Sequence, residues 1–65
     1  STMETRNALE TAVSRGLIGM QQAGALLSSD FNITYDPENN RAIIDLSLRP
    51  AFELRTIEIS VTVQI

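Results

Sequence analysis

The chain has 65 residues, with five Arg, no Lys, eight acids, no Cys and no His, and a formal net charge of −3. This length excludes a second domain and a large enclosed active-site cavity. The missing thiols and imidazoles exclude disulfide staples, the usual structural zinc ligands and every nucleophile pair of the Ser-His or Cys-His type. A chain of roughly 60 residues buries only about 60% of its unfolded surface, so with those staples gone a partner is the remaining support.

The first third has helical periodicity. Thr2 is placed to cap the N-terminus and Glu4 falls in the first turn, where the helix dipole favours an acid. Ala8, Leu9, Ala12, Val13, Leu17 and Met20 then recur at spacings of three and four, the mark of one buried stripe. This predicts a helix from Met3 to about Gln22, kinked or broken near Gly16 because each interior glycine costs about 1 kcal/mol against alanine. Gly24 is the expected stop, since a left-handed residue there carries no Cβ penalty.

After Ser28 the period changes from 3.6 to two. Phe31-Asn32-Ile33-Thr34-Tyr35 alternates as a half-buried strand, and Asp36-Pro37-Glu38-Asn39-Asn40 holds residues that pre-set or tolerate turn dihedrals. Ala42, Ile44, Leu46 and Leu48 then form one face of a second strand, closing a hairpin, and Pro50 ends it for want of an N–H. The last run is the most regular: Ile57, Ile59, Val61, Val63 and Ile65 alternate without a fault with Thr56, Glu58, Ser60, Thr62 and Gln64. The predicted class is therefore α+β, one amphipathic helix packed on a small, mainly antiparallel three-stranded sheet in a single domain spanning residues 1–65. The alternation fits, first, the central strand of a three-stranded sheet and, second, an edge strand open to β-augmentation by a neighbouring subunit. The connection from Arg49 to Arg55 permits a return hairpin or a crossing to a new edge.

Charge and apolarity narrow the partners. The arginines (Arg6, Arg15, Arg41, Arg49, Arg55) stand one by one, so no basic cluster offers a grip on nucleic-acid phosphates or anionic lipid. No run approaches the roughly 20 apolar residues of a membrane-spanning helix. Neither nucleic acid nor membrane is an expected partner. Arg49 and Arg55, flanking Pro50 to Leu54, are placed to meet acidic groups across a subunit interface.

Chemistry is thinly represented. Asp36 and Glu38 belong to a solvated turn, and Asp45 and Glu58 lie on predicted strands without a cleft to shift their pKa, so no catalytic, metal or cofactor residues are expected. Gly16-Leu17-Ile18-Gly19 lacks the Lys and Ser/Thr of a phosphate loop and sits within a helical pattern. Phe31, Tyr35 and Phe52 are too few for a base-stacking platform and read as core.

One family carries the same order of landmarks: an amphipathic helix ending in Gln22-Ala23-Gly24-Ala25-Leu26, a strand opening at Phe31, a turn over Asp36 to Asn40, then Ile43-Ile44-Asp45-Leu46-Ser47-Leu48-Arg49-Pro50-Ala51-Phe52 and an apolar closing strand from Ile57 to Ile65. In this order the chain resembles the C-terminal domain of contractile-tail sheath proteins of long-tailed phages and related injection machines. Baseplate proteins of such particles end in comparable strands. The resemblance implies a C-terminal part of a longer, non-enzymatic virion protein of the phage tail, assembled in the host cytoplasm. It further implies copies of itself as partners in a helical or ring assembly, an inner tail-tube protein near the helix, and Ile57, Ile59, Val61, Val63 and Ile65 as the strand exchanged between subunits. From the residues alone, a small homo-oligomeric module that captures a peptide on its sheet edge is the alternative.

Overall fold

A single helix is followed by a meander of three strands. The computed structural model describes residues 2–65, with α1 at Thr2–Gln22, β1 at Leu26–Asp36, a short 3-10 turn at Pro37–Asn39, β2 at Arg41–Pro50 and β3 at Ile57–Gln64. The expected cap falls at the Thr2 side chain, which lies outside the described residues. Both strand pairs are antiparallel and the sheet order is β1-β2-β3, so the class is α+β, a helix packed on a three-stranded antiparallel sheet. The connection after Pro50 is the return hairpin. It leaves β2 in the centre and β3 at an edge, which overturns the central-strand reading of the terminal run.

α1 runs unbroken through Gly16 and Gly19, contrary to the expected break and to the alternative of two short helices. Good helix formers surround both glycines, and packing the stripe on the sheet offsets their propensity cost. The helix ends where expected. Gly24 takes φ 82°, the Ala25 N–H donates to the Met20 carbonyl at 2.9 Å and the Gly24 N–H to the Gln21 carbonyl at 3.1 Å, a Schellman pattern that a Cβ would strain.

The buried stripe is narrower than the periodicity suggests. Leu17 is buried and Leu9, Val13 and Arg6 are half-buried, whereas Ala8, Ala12 and Met20 are exposed. The helix packs against β1, with no comparable contact to β2 or β3, so only one side of the apolar arc is covered. Tyr35 fixes the start of α1: its hydroxyl donates to the Arg6 carbonyl at 3.3 Å, and the Arg6 guanidinium lies 4.4 Å from its ring centroid. The buried Arg6 Nε has no hydrogen-bond partner, and the ring face is the compensation this cation finds.

β1 is longer than Phe31 to Tyr35 because Leu26 to Asp30 also pair with β2, around a register shift at Leu27. The polar run Ser28-Ser29-Asp30 hides this extension from a pattern search. The turn behaves as its residues dictate. Asn40 supplies the left-handed position at φ 51°, and the Asp36 carboxylate accepts from Asn39 Nδ2 at 2.8 Å and Arg41 Nε at 3.1 Å. The Asn39 amide above all holds the Asp36 carboxyl below its usual range, against an upward push from desolvation that the Arg41 guanidinium helps to offset.

Cross-strand register sorts the side chains into two faces. Phe31, Leu46 and Ile59 form one apolar row, Ile33, Ile44 and Val61 the next, and Tyr35, Ala42 and Val63 the third. Asp30, Ser47 and Glu58, with Asn32, Asp45 and Ser60, lie on the opposite, polar face. The core is small: the buried apolar residues are Leu17, Leu26, Ala42 and Ile44, of which only Ala42 reaches 0% exposure. Shape reflects this. The radius of gyration is 13.0 Å, where a compact domain of this length has about 11 Å. The accessible surface is 4752 Å², against about 4100 Å² for a folded monomer of this mass.

Candidate assembly surface

β3 carries the residues expected to join subunits, and the structure leaves them half bare. Ile59 and Val61 keep 41% and 40% of their surface, Ile57 and Ile65 are similarly exposed, and Val63 alone is half-buried. The helix that would cover them sits over β1 instead. An apolar band on β3 thus borders a strand edge.

The hydrogen-bond phase of that edge follows from one contact. The Ile65 N–H donates to the Asn40 carbonyl at 2.8 Å, in the same register as the β2–β3 ladder. Residues of an antiparallel strand alternate in the direction of their N–H and C=O groups. Ile57, Ile59, Val61, Val63 and Ile65 therefore turn their amides inward to β2. Glu58, Ser60, Thr62 and Gln64 turn theirs outward to the free edge. The residues with apolar side chains stitch the sheet, and those with polar side chains present an unpaired backbone row.

β1 is the contrasting edge. By the same alternation Ser29, Phe31, Ile33 and Tyr35 point their amides away from β2, but the Phe31 N–H is taken by its neighbour's Asp30 Oδ1 at 2.9 Å and the strand is irregular at Leu27. A side-chain cap and a bulge are two ways proteins blunt an edge. Among the described residues no side chain caps the outward amides of β3.

The two arginines expected at an interface sit at the β2–β3 end of the sheet. Both are exposed; Arg55 Nε is 3.5 Å from Glu53 Oε1, a pair on the surface, while Arg49 is the penultimate residue of β2. Phe52, expected in the core, is 100% exposed and Leu54 90% exposed. Pro50 turns the chain out of the sheet, the Ala51 N–H is tied back to the Ala25 carbonyl at 3.1 Å, and the loop beyond it has nothing to pack on. Composition could not place these two side chains, because a bulky apolar residue has the same pattern in a core and on a loop tip.

Asp45 and Glu58, the residues weighed for catalysis, lie on the open polar face opposite Ser60 and Ser47. With Asp30 they border a shallow depression rather than a cleft, and among the described residues no three acidic side chains converge to hold a metal ion. No helix of the described residues is long and apolar enough to cross a membrane. No protein-family model matches this sequence, no curated protein matches it, and no solved structure matches its fold.

Proposed function

We propose that this domain is a structural, non-catalytic assembly unit that joins copies of its chain, its site being the open β3 edge with Ile57, Ile59, Val61, Val63 and Ile65 beside it. One observation carries the reading: an outer strand whose outward amides are uncapped and whose apolar side chains are uncovered, in a domain more extended than its length requires. The order of landmarks from the helix to Ile65 supports a contractile tail sheath as the setting, one in which copies form a helical or ring array around an inner tube and Arg49 and Arg55 meet acidic groups of the next subunit. Sedimentation equilibrium over a range of concentrations tests it. A mass that rises above 7.2 kDa with concentration supports assembly, and species larger than a dimer support the sheath setting. A monomer that persists at millimolar concentration contradicts both.

A further inference from the structure

Three surfaces can meet the β3 edge of one copy: the β1 edge of another, its β3 edge run parallel, or its β3 edge run antiparallel. The first is blunted by the Asp30 cap on Phe31 and the irregularity at Leu27, and because β1 and β3 run in the same direction it makes a parallel junction, the weaker kind, when the apolar faces share a side, and an antiparallel one only when they oppose each other. The second needs a rotation about the strand axis. That rotation turns one sheet over and sets the Ile and Val side chains of one copy beside the Glu, Ser and Thr side chains of the other. The third uses a two-fold axis normal to the sheet and keeps both apolar faces, and both helices, on the same side.

Register follows from the phase of the edge. Only outward residues can exchange bonds across the junction, so even-numbered positions must face even-numbered ones. Glu58, Ser60, Thr62 and Gln64 are symmetric about Val61. Centred there, Glu58 faces Gln64, Ser60 faces Thr62, and every outward N–H and C=O of β3 finds a partner. On the other face Ile57 meets Ile65, Ile59 meets Val63 and Val61 meets its own copy. A register centred on Ser60 leaves Gln64 opposite Thr56, outside the strand, and one that brings Glu58 opposite Glu58 sets like charges together.

We infer that, given the assembly reading above, the β3 edge takes a second copy of itself, antiparallel and two-fold about Val61, joining two sheets into one. An isologous junction of this kind closes after two copies. Growth into a ring or helix then runs through another surface, and the loop bearing Phe52 and Leu54 holds the most exposed apolar side chains outside β3.

The chain has no cysteine, so single-cysteine variants report the register directly. Under mild oxidation Val61→Cys is expected to give a disulfide-linked dimer, since facing side chains of a non-hydrogen-bonded antiparallel pair come within about 4.5–5.5 Å at Cβ, while Ser60→Cys, which faces Thr62, associates without forming the disulfide. In parallel, Thr62→Pro removes an outward N–H without touching the β2 ladder, a position where an edge strand tolerates proline. With circular dichroism confirming the fold, it is expected to weaken association roughly 30-fold, one bond being lost from each copy. Association that survives Thr62→Pro, or a dimer that cross-links through Ser60→Cys instead, overturns this junction and leaves the assembly reading standing. A wild-type chain that never associates overturns both.

Discussion

β1 and β3 flank the same central strand, yet one is roofed by α1 and the other is bare. On the β1 side the Tyr35–Arg6 contact and the Leu9, Val13 and Leu17 stripe close the apolar face, and Asp30 closes part of the edge. On the β3 side neither is closed. The difference comes from geometry: one helix of about 10 Å diameter covers about two strands of a sheet spaced about 4.8 Å apart, and the described residues form no second helix to lie beside it. What is missing from β3 is therefore what a partner would supply.

The contrast can be broken by mutation, with the largest effect expected at the centre. Ile44→Ala removes a buried side chain that the rows on both sides lean on and should cost about 2–5 kcal/mol in urea denaturation, whereas Ile59→Ala on the bare side should cost about 1 kcal/mol. Equal costs would mean that β3 is as well packed as β2. Next comes Val63→Pro, which deletes an inward amide of the β2–β3 ladder and should detach the end of β3, seen as lost strand signal in circular dichroism. It contrasts with the tolerated proline one residue earlier.

Tyr35→Phe sharpens the roofed side. It deletes the hydroxyl that donates to the Arg6 carbonyl but keeps the ring under the guanidinium, so a loss of about 1 kcal/mol is expected, measured by thermal or urea unfolding. The smallest effects are those of pH. Asp36 has a folded pKa below its ordinary value, with Asn39 and Arg41 as the stabilising partners. Its contribution is fully present above the unfolded value near about 3.9 and is lost as pH falls through the lower folded value. Asp36→Asn should flatten that acid limb in denaturation curves. At the other end, Tyr35 is raised above its ordinary value by desolvation, and then by the Glu10 charge, against the Arg6 cation. Its contribution is present below about pH 10 and fades as pH climbs through the folded value, a limb that Tyr35→Phe should remove.

Much of this was legible in the residues. Strict alternation in Ala42 to Leu48 and Ile57 to Ile65 gives the faces of β2 and β3 without error, and Gly24 and the Asp36 to Asn40 turn mark the reversals. Alternation says which face a side chain occupies, however, and nothing about which strand lies beside it, so edge and centre could not be told apart for β3. Arg6 was hidden for a related reason. Its partner Tyr35 lies 29 positions away, and a charged residue off the apolar stripe carries no local sign of a ring beneath it. Gly16 misled in the opposite direction, because a propensity cost is local while the packing that outweighs it is not. Phe52 and Leu54 were the least legible, since the features that expel them, the end of the sheet at Pro50 and the absence of any element above the loop, exist only in three dimensions.

The most direct test of the central claim is residue-resolved amide hydrogen exchange at low and high protein concentration. The account predicts that protection of the Glu58, Ser60, Thr62 and Gln64 amides rises with concentration, while the outward amides of Ser29, Ile33 and Tyr35 exchange at unchanged rates. Protection that rises along β1 instead, or β3 amides that exchange rapidly at every concentration, would contradict it.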